Sequence, residues 1–195
     1  REELVASGFD LEDRVVVFET QEPRVAAHVE KSGPSVIAVC LSLGMYTVAV
    51  VFTGSPEPIE TIRALCARND LKVVLDRIVP VDTNALGEQA LSTLPEIHHV
   101  FITPNSLMAS QRFDALLYLS RKEIEHALVH DADCYIASMS TTVGSYKGLI
   151  MPTHIKEFYP DLQNEKFKIS FALFHQRFST NTLPKWRLAQ PFRAV

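Results

Sequence analysis

The stretch Gly44–Phe52 (GMYTVAVVF) limits the possible folds more than any other part of the chain. In extended backbone, side chains alternate between faces, so Tyr46, Val48 and Val50 share one face and Thr47, Ala49 and Val51 the other. Both faces carry valine or alanine. Such a strand has no face to give to water, so it belongs inside a layered domain, covered on both sides. The segments after it supply the layers. Ser55-Pro56-Glu57-Pro58 starts a helix with proline in its first turn, and Ile59, Ile62, Leu65 and Cys66 form its apolar stripe. Cys66, on that stripe, reads as a core residue. Leu71–Val79 follows as a strand, Val81–Gly87 as a capped turn and Glu88–Leu94 as a short helix. His99–Ile102 is a strand stopped by Pro104. The clearest helix runs from about Ser110 to His130, with Phe113, Leu116, Leu117, Ile124 and Leu128 on one side. A hairpin is expected from Tyr135–Ser140 and Tyr146–Ile150 around Gly144, then a helical segment at Pro152–Tyr159 and a strand at Lys168–Phe174. Several layouts of strands and helices accommodate this order.

Ahead of Gly44 the pattern is weaker. Glu2–Ser7 before Gly8 reads as the end of a glycine-capped helix, and Val15–Phe18 as a β-rich piece. Residues 12–42 are expected to be an insertion or an atypical segment. The chain opens on Arg1 and closes at Val195 with no helix stop, and the expectation is a piece of a longer polypeptide.

At 195 residues there is material for one well-buried domain. A formal net charge of −4 and the lack of a basic stripe with interleaved aromatics give no case for a nucleic-acid partner. The longest apolar runs, Val36–Leu43 and Thr47–Phe52, are too short for a bilayer, so no membrane partner is expected. Three cysteines without paired spacing, Cys40, Cys66 and Cys134, suit reduced thiols in a reducing compartment.

The functional signal is concentrated in His175–Arg193 (HQRFSTNTLPKWRLAQPFR). The apolar run Lys168–Phe174 leads into it and Leu183-Pro184 breaks it. A strand placed there delivers Arg177 to a rim of Ser179, Thr180, Asn181 and Thr182. The planar fork of arginine can grip both oxygens of a carboxylate at once. From the residues alone, a carboxylate inside the domain is the preferred partner, with a ligand carboxylate as the alternative.

The pattern HQRFSTNT-x-P-x-W-x-x-AQP-x-R strongly resembles the glutamine-hydrolysing domain of glutamate synthase large chains, a class II amidotransferase with an N-terminal nucleophile. Other matching pieces lie upstream: Val79–Asp82 with Leu86-Gly87, Phe113, Leu117-Tyr118, Arg121-Lys122, Glu125, Tyr135–Ser140, Tyr146-Lys147-Gly148, Met151-Pro152 and Phe158–Gln163. The likeness covers about residues 44–195. It implies an α+β fold, a four-layer αββα sandwich that would here be incomplete, with residues 1–195 a partial amidotransferase domain. It implies that Arg177 binds the α-carboxylate of L-glutamine. Thr180 and Asn181 then touch the substrate and shape its pocket, or simply cap the turn. Trp186 is expected to pack under the loop, with contact to the ligand as the alternative. The parent enzyme would pass ammonia to a synthase site using FMN, an iron–sulfur cluster and electrons from NAD(P)H or ferredoxin, none of them bound in this segment. Its partners would be the rest of the large chain and a small subunit or ferredoxin, in cytoplasm or in a plastid or other organellar stroma.

The resemblance also implies a nucleophile that this chain lacks. The family uses the thiol of an N-terminal cysteine with its own α-amine as base. Cys40, Cys66 and Cys134 are internal, so the chain alone is expected to be inactive. Thr142 stands where relatives carry a basic residue, with Gly144-Ser145 in place of apolar ones. A non-catalytic module of the same fold is the rival reading. A third is a metal-dependent hydrolase on His126 and His130, four apart on a helix. However, Ala127 stands where the water-activating glutamate would be, and surface histidines at a helix C-terminus explain the same letters. His98-His99, placed ahead of a strand, reads the same way.

Overall fold

The structure is a computed structural model that describes residues 9–10, 15–16, 45–165, 167, 172, 174–175 and 183–189. In the N-terminal part, β1 (Phe9–Asp10) pairs antiparallel with β2 (Val15–Val16). The expected helix at Glu2–Ser7 and the apolar run Val36–Leu43 lie outside the described residues.

The centre of the domain is a four-stranded antiparallel sheet. Its strands are β3 (Thr47–Thr53), β4 (Leu71–Ile78), β5 (Glu96–Pro104) and β6 (Tyr135–Ser138), in the order β4-β5-β3-β6. The helices are α1 (Glu57–Arg68), α2 (Glu88–Ser92), α3 (Ser110–Ala127) and the single turn α4 (Ile155–Phe158). The α1–β4 turn passes through Asp70 at φ 59°, a left-handed position that aspartate tolerates.

The strand that is apolar on both faces lies inside, as expected. On one face Ala49 and Val51 join Val73, Val100, Ile102 and Ile136 under the stripes of α1 (Ile59, Ile62, Cys66) and α3 (Phe113, Leu117, Ile124). On the other, Val50, Phe52 and Ile97 meet Val79, Ile150, Phe158, Tyr159 and Trp186. Two buried faces on one sheet make a domain in which neither side can be peeled off without exposing core.

Register decides which side chains reach the second face. The β4–β5 pairing slips between Val73, opposite Ile102, and Leu75, opposite Phe101. This bulge reverses the alternation, because an extra residue flips every later side chain. Arg77 therefore lies beside His99 and, across β5, in line with Val50, while Ile78 is left 47% exposed.

Two expectations need correction. Tyr146–Ile150 is not a strand. Its polar groups are engaged by side chains and neighbouring loops: Lys147 O accepts from Tyr159 Oη at 2.7 Å, and Ser145 N donates to Ser138 Oγ at 3.1 Å. With Ile150 and Tyr146 packed among Val50, Phe52 and Phe158, the segment covers the sheet's face instead of extending its edge. His98 and His99 do not precede a strand on the surface; they lie inside β5, and both are buried. The helical reading of Pro152–Tyr159 holds as a 3-10 turn, Pro152–His154, running into α4. The expected strand Lys168–Phe174 falls mostly outside the described residues; Phe174 is described and 82% exposed.

Candidate functional site

Trp186 opens a short 3-10 turn, Trp186–Leu188, which is held against the second face of the sheet from several directions. Its indole lies 5.8 Å from the Phe158 ring and 6.4 Å from Phe52, centroid to centroid. Nε1 donates to Ala90 O at 3.1 Å. The ring rests on Gly148: a Cβ there would stand 2.8 Å from Cζ3, closer than carbon atoms tolerate. The glycine of Tyr146-Lys147-Gly148 is the seat of the tryptophan.

Side chains hold the backbone of the same turn. Tyr135 Oη donates to Trp186 O at 3.0 Å. Lys147, buried, donates from Nζ to Ala189 O at 3.0 Å and to Arg187 O at 3.4 Å, with the ammonium 4.8 Å from the centre of the Tyr135 ring. A buried ammonium is tolerated only when carbonyls and a ring face take the place of water. Burial raises the Tyr135 phenol well above its ordinary range, so it remains a donor at neutral pH.

Deeper on this face is a buried charge cluster. Arg77 pairs with Asp161, and its Nη2 lies 3.1 Å from His99 Nδ1. Burial, with Arg77 and His98 beside it, lowers the His99 pKa to about 3, so that ring is neutral and its Nδ1 accepts a hydrogen bond from the guanidinium. Tyr146 caps the cluster, its ring edge-on to His99 at 5.7 Å and to Tyr159 at 5.0 Å.

Arg177, Thr180 and Asn181 lie outside the described residues. Their flanks are described: His175 on one side and Leu183–Ala189 on the other. Trp186 is buried against Phe52, Phe158 and Gly148, while the stretch it was expected to pack under lies outside the described residues. Cys66 and Cys134 are buried free thiols, and burial pushes each up to about 12, helped at Cys134 by Asp131. Neither is poised as a nucleophile. His126 and His130 are both exposed, and among the described residues no group of three His, Cys, Asp or Glu could hold a metal.

Comparison with known proteins shows the family of this chain. Residues 30–195 match the family model of class-II glutamine amidotransferases. This chain belongs to that family. Within it, the amidotransferase is similar to glutamate synthases. It is 42% identical to the NADPH glutamate synthase large chain of Azospirillum brasilense over 121 residues, covering 61% of this chain and 8% of the relative. It is 39% identical to the Bacillus subtilis large chain over 155 residues, covering 76% and 10%. It is 36% identical to chloroplastic ferredoxin-dependent glutamate synthase 2 of Arabidopsis thaliana over 143 residues, covering 70% and 9%. The chain therefore matches a tenth or less of the length of these relatives.

Sequence reasoning missed Lys147, Gly148 and the Arg77–Asp161 pair. Tyr146-Lys147-Gly148 stood out as part of the resemblance, but its use depends on contacts made about forty residues away along the amidotransferase chain.

Proposed function

We propose that this chain is the glutaminase part of a glutamate synthase, which binds L-glutamine and, within its parent enzyme, releases ammonia for transfer to 2-oxoglutarate. The reading is carried by the family match over residues 30–195, which contains the whole His175–Arg193 motif. Arg177 takes the α-carboxylate of glutamine, its planar fork matching the two oxygens, while Thr180 and Asn181 line the same pocket. The pinned turn at Trp186 supports this placement, since a loop that binds a small charged ligand needs a rigid base.

The fold proposed is a partial four-layer αββα sandwich over residues 1–195, with residues 12–42 as an insertion or an atypical segment. A central antiparallel sheet covered by α1 and α3 on one face and buried on the other supports a layered domain of this kind. Among the described residues no helix is long and apolar enough to cross a membrane. The proposed setting is cytoplasm or plastid stroma.

The reaction requires a cysteine thiol with a free α-amine as base. Cys66 and Cys134 are interior residues with raised thiols, so the 195-residue chain alone is proposed to bind glutamine without hydrolysing it. The chain has three cysteines, two of them buried with raised thiols, and an iron–sulfur cluster takes four thiolates. The cluster, FMN and the site for NAD(P)H or ferredoxin are assigned to the rest of the parent chain and its partners.

The test is calorimetric titration with L-glutamine. Arg177→Ala is expected to weaken binding at least about thirty-fold, the low end for removing one partner of a buried charge pair. An unchanged affinity would remove Arg177 from the site. A parallel glutaminase assay separates the two halves of the proposal, since turnover above buffer would overturn the inactivity.

A further inference from the structure

His98 stands where a single proton decides how two strands are joined. It is 5% exposed within β5, and both of its ring nitrogens face carboxylate oxygens. Nδ1 lies 2.9 Å from Asp76 Oδ1 on β4, and Nε2 lies 3.2 Å from Glu96 Oε2 on β5 itself. A neutral imidazole carries one N–H and one lone pair, so it can donate to only one of the two; the imidazolium donates to both. The geometry calls for the charged ring. Asp76 and Glu96 are the charged groups that act on it. The other elements bring none to the ring: β3 sets Val51 opposite it, and Arg63 of α1 is engaged with Glu60 and Val73 O. His99, next along β5, belongs to the other face with Arg77 and Asp161.

The bridge crosses to the outermost described strand of the sheet, just past the bulge between Val73 and Leu75. Beyond it the pairing of the two strands ends at Val79, whose N donates to Ile97 O at 2.7 Å and whose side chain belongs to the core of the second face. We propose that His98 is a proton-operated latch: the imidazolium closes the end of β4 onto β5, and loss of its proton to solvent lets Asp76–Val79 open locally while the rest of the sheet stays folded. The neutral ring keeps one N–H, so one carboxylate retains a weaker bond and the other is left against a lone pair. Burial opposes the charge on the ring, but Asp76 and Glu96 outweigh it. The latch is therefore fully closed below the ordinary imidazole value of about 6.5 and opens as pH climbs through the raised one. It is independent of the glutamine reading.

The experiment is amide hydrogen exchange on the full 195-residue chain, isotope-labelled and followed by nuclear magnetic resonance, each rate divided by its intrinsic value at the same pH. The Val79 amide is the probe and the amides of β3 are the reference. The ring nitrogen shifts of His98 read its protonation directly, and both nitrogens are expected to be protonated at about pH 6. As pH rises, Val79 protection is expected to fall about five-fold with the same midpoint as the ring, the difference between a charge-assisted and a neutral bond. Low urea should hardly change exchange at Val79 but speed it in β3, which opens only by global unfolding. His98→Gln keeps a donor and cannot titrate, so its Val79 protection is expected to stay flat. Glu96→Gln removes one of the carboxylates that hold the proton and is expected to move the fall to lower pH; it carries the test if His98→Gln does not fold. The latch is overturned by Val79 protection that ignores the ring's titration, or by a fall that persists in His98→Gln. A midpoint unmoved in Glu96→Gln overturns it too, as does exchange of Val79 with the rate and urea dependence of β3.

Discussion

Replacing Gly148 with alanine probes the contact on which the Trp186 turn rests. The added Cβ would stand 2.8 Å from Trp186 Cζ3 and 3.5 Å from Cη2. Carbon atoms settle at about 3.5–4.0 Å, so ring or backbone must give by about 0.7 Å or more. The indole has little freedom to do so, with Nε1 bonded to Ala90 O at 3.1 Å and Phe158 and Phe52 alongside. Overpacking of this kind costs about 1–3 kcal/mol. In a chain of this length each kcal/mol lowers the melting midpoint by about 2–4 °C. Trp186→Phe deletes the part of the ring that clashes. Alone it costs about 2–4 kcal/mol, from lost packing and from leaving Ala90 O without its indole donor. In that background, however, Gly148→Ala no longer meets Cζ3. It is then expected to be neutral or to stabilise by up to about 1 kcal/mol, because alanine restricts the unfolded chain. The double-mutant cycle should show a coupling of about 1–3 kcal/mol, read by urea denaturation with far-ultraviolet circular dichroism. Equal costs of Gly148→Ala in both backgrounds would refute the proposed seat.

Three further outcomes follow from the buried groups. Asp161→Ala strands the Arg77 guanidinium in the core and should cost about 3–5 kcal/mol, whereas Arg77→Met with Asp161→Leu should cost far less; equal denaturation midpoints for the two variants would contradict this. Burial opposes the charge on His98, but Asp76 at 2.9 Å and Glu96 at 3.2 Å outweigh it, and the pKa rises. Its stabilisation is complete below the unfolded value of about 6.5 and is lost as pH climbs through the higher folded value, so His98→Gln should flatten a decline in stability as pH rises above about 6.5. His99, lowered to about 3, acts in the opposite sense, costing stability as pH falls below about 6.5; an unchanged pH profile in His98→Gln would dismiss the carboxylate pairing. In a Cys40→Ser chain, Cys66 and Cys134 should resist a disulfide reagent near about pH 8 until denaturant is added, and rapid native labelling would show that their burial is misjudged.

Local pattern was a good guide wherever one residue's neighbours along the chain set its surroundings. The two-sided burial of β3, the stripe of α1, the long helix α3 and the capped turn at Asp82, whose Oδ1 accepts from Asn84 N at 2.9 Å, all agree with their letters. Prediction failed where long-range contacts decide. Tyr146–Ile150 has a strand's composition, but Tyr159 and Ser138 draw it across the sheet. His98 and His99 look like a polar pair, yet pairing with β3 and β4 seals both in.

Sequence alone was enough to establish family membership, because an ordered motif of specific residues survives without knowledge of its contacts. It could also supply the apolar periodicities, which depend only on side chains leaving the backbone at fixed angles. It could not say that Arg77 would turn inward. That follows from a one-residue slip between β4 and β5, which changes the face of every residue after it and is set by pairing across the sheet. Nor could it say that Gly148 must lack a side chain or that Lys147 would be buried. Both depend on where Trp186 lands, and that position exists only once the turn has packed onto the sheet.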